Sequence, residues 1–375
     1  MVNPDWLLFV RNLLYVGQMA KLENSLDPTY CRVSKVSAVT KIMMALLFPV
    51  ALFSCILPKK KGLYIFSSMH GFDLADNAKY LYDNVQSTNK YFITKRKNYK
   101  SSCGNIRYLY AYSIQGIFVQ LFAERAYYTH GIYDFIPVLI WGSCKINLWH
   151  GVPVKVIGPL ADWSGDSKLL FFVKCWFFRI FRISYYMACD YLLCPEFQQI
   201  ENYNHYFMLV KPKILVRQQP RVLYSRKLAK SMSILYAPTH RNHDKSHNIE
   251  EYLDKIRIFH PDVRNFISKI RITIVIRPHP LELSKYLNLN MPENYVLDNS
   301  IDLYDSINKY ILVVTDYSSI IYDCRDLRIP YRILAADFMD YDGKVGFNRD
   351  FSEVIRKKLL VTWTDLINEM RDTGF

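Results

Sequence analysis

No two of the eight cysteines form a CxxC pair; Cys31, Cys55, Cys103, Cys144, Cys175, Cys189, Cys194 and Cys324 are scattered along the chain. Most lie inside apolar runs, the pattern of buried, reduced thiols in a cytosolic protein. A disulfide framework and a cysteine zinc site are therefore not expected. Internal repeats and low-complexity tracts are absent as well. No cleavable signal peptide is evident, because the first long apolar run begins only at Ile42. Acidic residues are the scarcer sign: 34 against 48 basic residues give a net charge of +14. Nucleic acid, an anionic membrane or a phosphate-rich substrate all fit that excess. Nucleic-acid recognition motifs are lacking, however, and the positive charge gathers near apolar segments, which disfavours the first.

What is present is enough apolar material for more than one core. With 51% hydrophobic and 15% aromatic residues in 375, disorder is excluded and two domains are expected. Three segments point to a membrane surface. "DWLLFVRNLLYVG" is short and carries Arg11, and "IMMALLFPVALFSCILP" (42–58) is uncharged but interrupted by Pro49. The second is at the lower edge of the roughly 17–25 residues that span a bilayer. In "KLLFFVKCWFFRIFRISYY" (168–186), Lys168, Lys174, Arg179 and Arg182 fall within about 140° of one another on a helical wheel. A basic rim beside an aromatic face suits a helix lying in the interface. Attachment to the surface is expected over a full span.

From Gly62 onward short apolar runs alternate with helical stretches. The first series of strand-like runs is 63–67, 91–94, 126–130, 146–150 and 191–194; the second is 234–238, 271–277, 310–315 and 331–335. Continuous β-branched and aromatic runs fit strands covered on both faces of a parallel sheet. Helices are expected around 75–85, 249–259 and 319–327, with a polar connection near 211–232. The fold class is thus α/β, two doubly wound domains facing a cleft. The expected division is a membrane-associating segment over 1–61, an α/β domain over 62–212 and a second over 213–375.

Ligands bind beyond the carboxyl ends of such strands, and four unusual clusters fall there. "NLWHGVPVKVIG" places His150 beside Gly151, and glycine permits close approach of a ligand to the backbone. "APTHR" presents Thr239 and Arg241, "RPHP" presents Arg277 and His279, and "TDYSS" presents Asp316, Ser318 and Ser319. The serines stand at a helix start, where free N–H groups favour phosphate. The prolines of "RPHP" stiffen its turn, and arginine forks match a diphosphate. Together they read as a polyanion site. His240, His243 and His247 look like a solvated turn more than a zinc cluster. "DYD" at 340–342 matches the metal-chelating DxD of some glycosyltransferases, a match too short to assign a metal.

In order, "ADNAKYLYDNV", "LWHGVPVKVIG", "LYAPTHR", "IRPHP" and "VVTDYSSIIYD" resemble the CDP-glycerol glycerophosphotransferases of teichoic-acid and capsule synthesis, over roughly residues 62–345. Val152 departs from the family's threonine, and "QQPRVL" keeps Pro220 and Arg221 of a longer family segment. The resemblance implies a GT-B fold and a transferase at the cytoplasmic face of the membrane. It would move glycerol or ribitol phosphate from a CDP-polyol to a lipid-linked or glycan hydroxyl and release CMP. By the same resemblance His150 is the general base. Thr239, Arg241, Arg277, His279, Asp316, Ser318 and Ser319 hold the donor, while Asp76, Asn77, Lys155 and Asp323 contact the acceptor or the polyol. No tightly bound cofactor is implied, and a divalent cation stays open. A GT-B glycosyltransferase using a nucleotide sugar is the alternative.

Overall fold

The structure, a computed structural model, describes residues 38–99, 106–155, 157, 173, 176, 181–182, 187–207, 210–241 and 248–373. They divide into two units. The first takes the described residues of Met1–His150 and Gly158–Tyr224, and the second those of Gly151–Ile157 and Ser225–Phe375.

The first unit is built on a parallel sheet of β1 (Lys60–Phe66), β2 (Lys90–Thr94), β3 (Tyr108–Tyr110), β4 (Ala123–Tyr128), β5 (Cys144–Asn147), β6 (Tyr191–Cys194) and β7 (Lys213–Val216). Their order is β3-β2-β1-β4-β5-β6-β7, and every pairing is parallel. Parallel neighbours need crossovers, supplied by helices such as Asp76–Asn84 and Ile114–Phe122. The order reverses between β1 and β4. That switch opens a crevice at their carboxyl ends, where Ser67–His70 follow β1 and Thr129–His130 follow β4. Phe66, Leu74, Phe92, Tyr127 and Leu148 form part of the core beneath it. Fully burying an aromatic or aliphatic side chain of this kind contributes about 1.5–3 kcal/mol.

The second unit repeats the plan with β8 (Ser233–Ala237), β9 (Thr273–Ile276), β10 (Tyr295–Leu297), β11 (Leu312–Thr315), β12 (Tyr331–Leu334) and β13 (Leu359–Leu360). The order is β10-β9-β8-β11-β12-β13, again all parallel. Its switch lies between β8 and β11, so residues after Ala237 and Thr315 share one crevice rim. Tyr236 meets Trp363 edge-on at 5.6 Å in the core below.

The α/β alternation read from the sequence is therefore present in both units, with informative differences. β5 stops at Asn147, short of the strand end expected at His150, because Trp149 leaves the extended region at φ 53°. β7 lies in the stretch read as a polar connection and adds an edge to the first sheet; a division after residue 212 would cut it from β6. The apolar run 42–58 is split into two nine-residue helices, Ala38–Leu46 and Phe48–Ile56, with Pro49 in the first turn of the second. Among the described residues no helix is long and apolar enough to cross a membrane. Helix Phe48–Ile56 is part of the first unit and packs closely within it, with Ser54 Oγ accepting from the Gly142 N–H at 2.9 Å. A Cβ at position 142 would meet the Ser54 carbonyl at 2.3 Å. The segment "DWLLFVRNLLYVG" and nearly all of the expected amphipathic helix 168–186 lie outside the described residues.

Candidate active site

In the first unit the backbone leading to His150 is held against its own preference. A positive φ at Trp149 costs a bulky residue on the order of 1–3 kcal/mol, so the neighbours must compensate. Asn147 Oδ1 accepts the Trp149 N–H at 2.9 Å. The buried Asn77 amide donates to the Trp149 carbonyl at 2.8 Å and to the Leu148 carbonyl at 3.3 Å. Arg221 Nη1 donates to the His150 carbonyl at 3.0 Å and to Asp76 Oδ1 at 2.7 Å. The Arg221 N–H in turn donates to Asn77 Oδ1 at 3.1 Å. Asp76 and Asn77, expected at a substrate polyol, are thus engaged in clamping the histidine's own segment. Gly151 follows at φ 140°, a conformation that favours glycine.

The imidazole of His150 has a fixed tautomer. Its Nδ1 lies 3.1 Å from the Thr129 carbonyl, and a carbonyl only accepts, so Nδ1 carries the proton and Nε2 keeps its lone pair. His130 stacks on the ring at 4.7 Å, 8° from parallel, and Trp149 flanks it at 4.3 Å. His150 is exposed, yet the neighbours crowding its ring displace enough water to lower its pKa below the ordinary imidazole value. Arg221 adds to this, and Asp76 and the Thr129 carbonyl oppose it. A neutral ring with an available Nε2 is what a general base requires.

Deeper in the same unit, Asp134 is fully buried and its Oδ2 accepts the N–H groups of Thr129 and His130 at 3.2 and 3.1 Å. Burial pushes this carboxyl up to about 6. His70, whose pKa burial and the nearby Lys95 lower to about 4, sits edge-on to His130 at 5.1 Å. None of His70, His130 and Asp134 was singled out by sequence, although His130 ends the strand-like run 126–130 just as His150 ends 146–150.

In the second unit, Thr239 and Asp316 meet because β8 and β11 are neighbours: the Thr239 N–H donates to Asp316 Oδ1 at 2.8 Å. Arg241 spends all five N–H donors on protein. Nε and Nη2 bind Asp337 at 3.0 and 3.2 Å, and Nη1 binds Asp316 Oδ2 at 2.8 Å and also the Thr239 carbonyl. Nη2 further donates to Tyr252 at 2.7 Å. The guanidinium expected to grip a diphosphate is therefore built into the wall. Arg277 is likewise tied to Asp298 at 2.9 Å and to Ser300, and Asp323 accepts from Tyr304.

The other strand-end groups of this unit are held differently. His279 stacks on His240 at 4.3 Å; burial, with His240 and Lys155 nearby, lowers its pKa to about 3. Lys155 pairs through its backbone with Phe347 and holds Nζ over the Tyr341 ring at 5.2 Å. Burial lowers its pKa to about 8, with Asp316 opposing and Arg241 reinforcing. Asn348 fixes this segment by donating to the carbonyls of Pro153 and Val154. Ser318 and Ser319 are half-buried at the start of helix Ile320–Asp326. Thr239 Oγ1 is buried without a hydrogen-bond partner among the described residues. Sequence reasoning did not identify Asp337, and it met Tyr341 only as the middle of "DYD". Among the described residues, no group of three or more His, Cys, Asp and Glu side chains is placed to hold a metal; His243 and His247 lie outside them, and Asp340 and Asp342 sit on helix Phe338–Val345.

Two Rossmann-like parallel-sheet units with these strand-end clusters define a GT-B-like protein. Residues 50–374 match the CDP-glycerol:poly(glycerophosphate) glycerophosphotransferase family, and the chain belongs to it. It is 25% identical over 324 residues to the teichoic acid poly(glycerol phosphate) polymerase of Staphylococcus epidermidis, covering 78% of this chain but 43% of that protein. It is 24% identical to the teichoic acid glycerol-phosphate transferase of Staphylococcus aureus, covering 84% of each. The solved structure of the wall teichoic acid polymerase TagF matches with a TM-score of 0.63 at 20% identity, covering 88% of this chain and 85% of that one.

Proposed function

We propose that the chain transfers glycerol phosphate from CDP-glycerol to a hydroxyl of a lipid-linked or glycan acceptor and releases CMP. One observation carries this reading: His150 presents an unprotonated Nε2, while Nδ1 is committed to the Thr129 carbonyl. Nε2 takes the acceptor's hydroxyl proton as the oxygen forms a bond to the phosphorus bearing glycerol. The bond from that phosphorus to the bridging oxygen breaks, and CMP leaves with the bonding pair. Lys155, His279, Ser318, Ser319 and the Thr239 hydroxyl contact the donor's phosphates, whose charge favours protonated forms of the imidazole and amine. Arg241 and Asp316 act by holding the rim in shape. The family and the relatives are all named for glycerol phosphate, which favours glycerol over ribitol.

The test is a panel of CDP-glycerol, CDP-ribitol and nucleotide sugars offered with a hydroxyl acceptor. CMP is expected from CDP-glycerol, with the acceptor gaining one glycerol phosphate by mass. Turnover of a nucleotide sugar alone, with a nucleoside diphosphate released, overturns the proposal.

We also propose that the protein works on the bilayer surface at the cytoplasmic face, where nucleotide donors are supplied. Ile42, Leu46, Leu52, Phe53 and Ile56 expose between 49% and 81% of their surface on the two short helices, and Lys60 and Lys61 are exposed beside them. Apolar contact with adjacent lysines suits an anionic interface. Flotation with anionic vesicles at low salt is expected, and replacing Phe53 and Ile56 with glutamate should weaken it roughly tenfold. A protein that stays in the dense fraction contradicts this placement.

A further inference from the structure

We propose that His130 is a positioning residue for His150, an inference that rests on reading His150 as the base. The two rings lie face to face at 4.7 Å and within 8° of parallel, and His130 is itself immobilised. Its Nδ1 accepts the Met69 N–H at 3.3 Å and lies 2.7 Å from Thr129 Oγ1. Because an amide N–H only donates, that nitrogen carries no proton, and the threonine hydroxyl donates to it too. The backbone of the same two residues hangs from the buried carboxylate of Asp134.

The consequence is a frame with two contacts on one ring. The Thr129 carbonyl takes the Nδ1 proton of His150, and the His130 face blocks rotation about the side-chain bonds that would break that hydrogen bond. The Trp149 ring adds a further contact at 4.3 Å. Residues 129 and 130 thus fix both the tautomer and the direction of Nε2, without His130 touching the reacting atoms. A flat ring at position 130 is the essential property. Its ability to hydrogen-bond Met69 only locates it.

The experiment is nitrogen NMR of the full chain labelled with ¹⁵N-histidine, the His150 signals being assigned by their loss in His150→Ala. The native protein should show one tautomer, Nδ1 protonated. In His130→Ala the two His150 nitrogens should move toward averaged shifts. Turnover should fall about 10–100-fold, while KM for CDP-glycerol changes less than about threefold, because misplacing a catalytic group by an ångström costs on this scale. His130→Phe, which restores a flat face, should recover turnover to within about fivefold of the native enzyme. Native shifts and turnover in His130→Ala, or a phenylalanine variant no better than alanine, overturn the proposal. Full activity in His150→Ala would instead remove the base reading, and the nitrogen shifts would still report whether position 130 holds that ring.

Discussion

Replacing His150 with alanine should lower turnover by at least about 10²-fold and as much as 10⁴-fold, the usual contribution of a general base. The size follows from the site's construction. Only Nε2 of this ring has a lone pair to offer, since Nδ1 is spent on Thr129. Arg221, which clamps this segment from elsewhere in the chain, donates to the His150 carbonyl and Asp76 and cannot accept a proton. The fold should survive, because the residue's carbonyl, not its ring, receives the clamp from Arg221. Initial rates of CMP release, alongside an unchanged thermal transition, check this. A rate within a fewfold of the native enzyme excludes the assignment.

The second large effect is on stability. Arg241→Met leaves Asp316, fully buried, without its guanidinium and removes two bonds to Asp337. Arg241 holds the Asp337 carboxyl below its ordinary value despite burial that pushes it up. Breaking a buried pair from one side costs about 3–5 kcal/mol. The unfolding transition of the second unit should therefore drop by roughly 10 °C, on the scale of 2–4 °C per kcal/mol for a unit of this size. Arg277→Met, at a pair with Asp298 whose side chains are 15% and 16% exposed, should cost less, about 1.5–3 kcal/mol. Differential scanning calorimetry separates the two. Equal, small shifts would show that the Arg241 network contributes little.

These expectations also mark what the sequence could and could not reveal. Runs such as "ILYAP" and "YILVVT" are buried on both faces, so their composition alone identifies strands. Edge strands Tyr108–Tyr110 and Leu359–Leu360 are too short to leave such a run. The positions of the polar clusters were legible because strand ends are where parallel sheets expose ligand sites. The partners of each side chain were not. Nothing near Arg241 in sequence announces that Asp316 and Asp337 converge on it. "ADN" reads as a substrate contact until Asn77 is seen holding the carbonyls of Leu148 and Trp149. His130 was silent for the same reason: its role comes from lying opposite His150 across neighbouring strands β4 and β5.

The claim on which the enzymatic account turns is that a neutral imidazole of lowered pKa accepts the acceptor's proton. The dependence of kcat/KM on pH tests it most directly. A base loses activity as pH falls through its pKa, and crowding by its neighbours moves that of His150 downward although the residue is exposed. The acid limb should therefore lie below the ordinary imidazole value of about 6.5, and it should vanish from the residual activity of His150→Ala. A limb at or above that value, or one unchanged in the variant, would contradict the account.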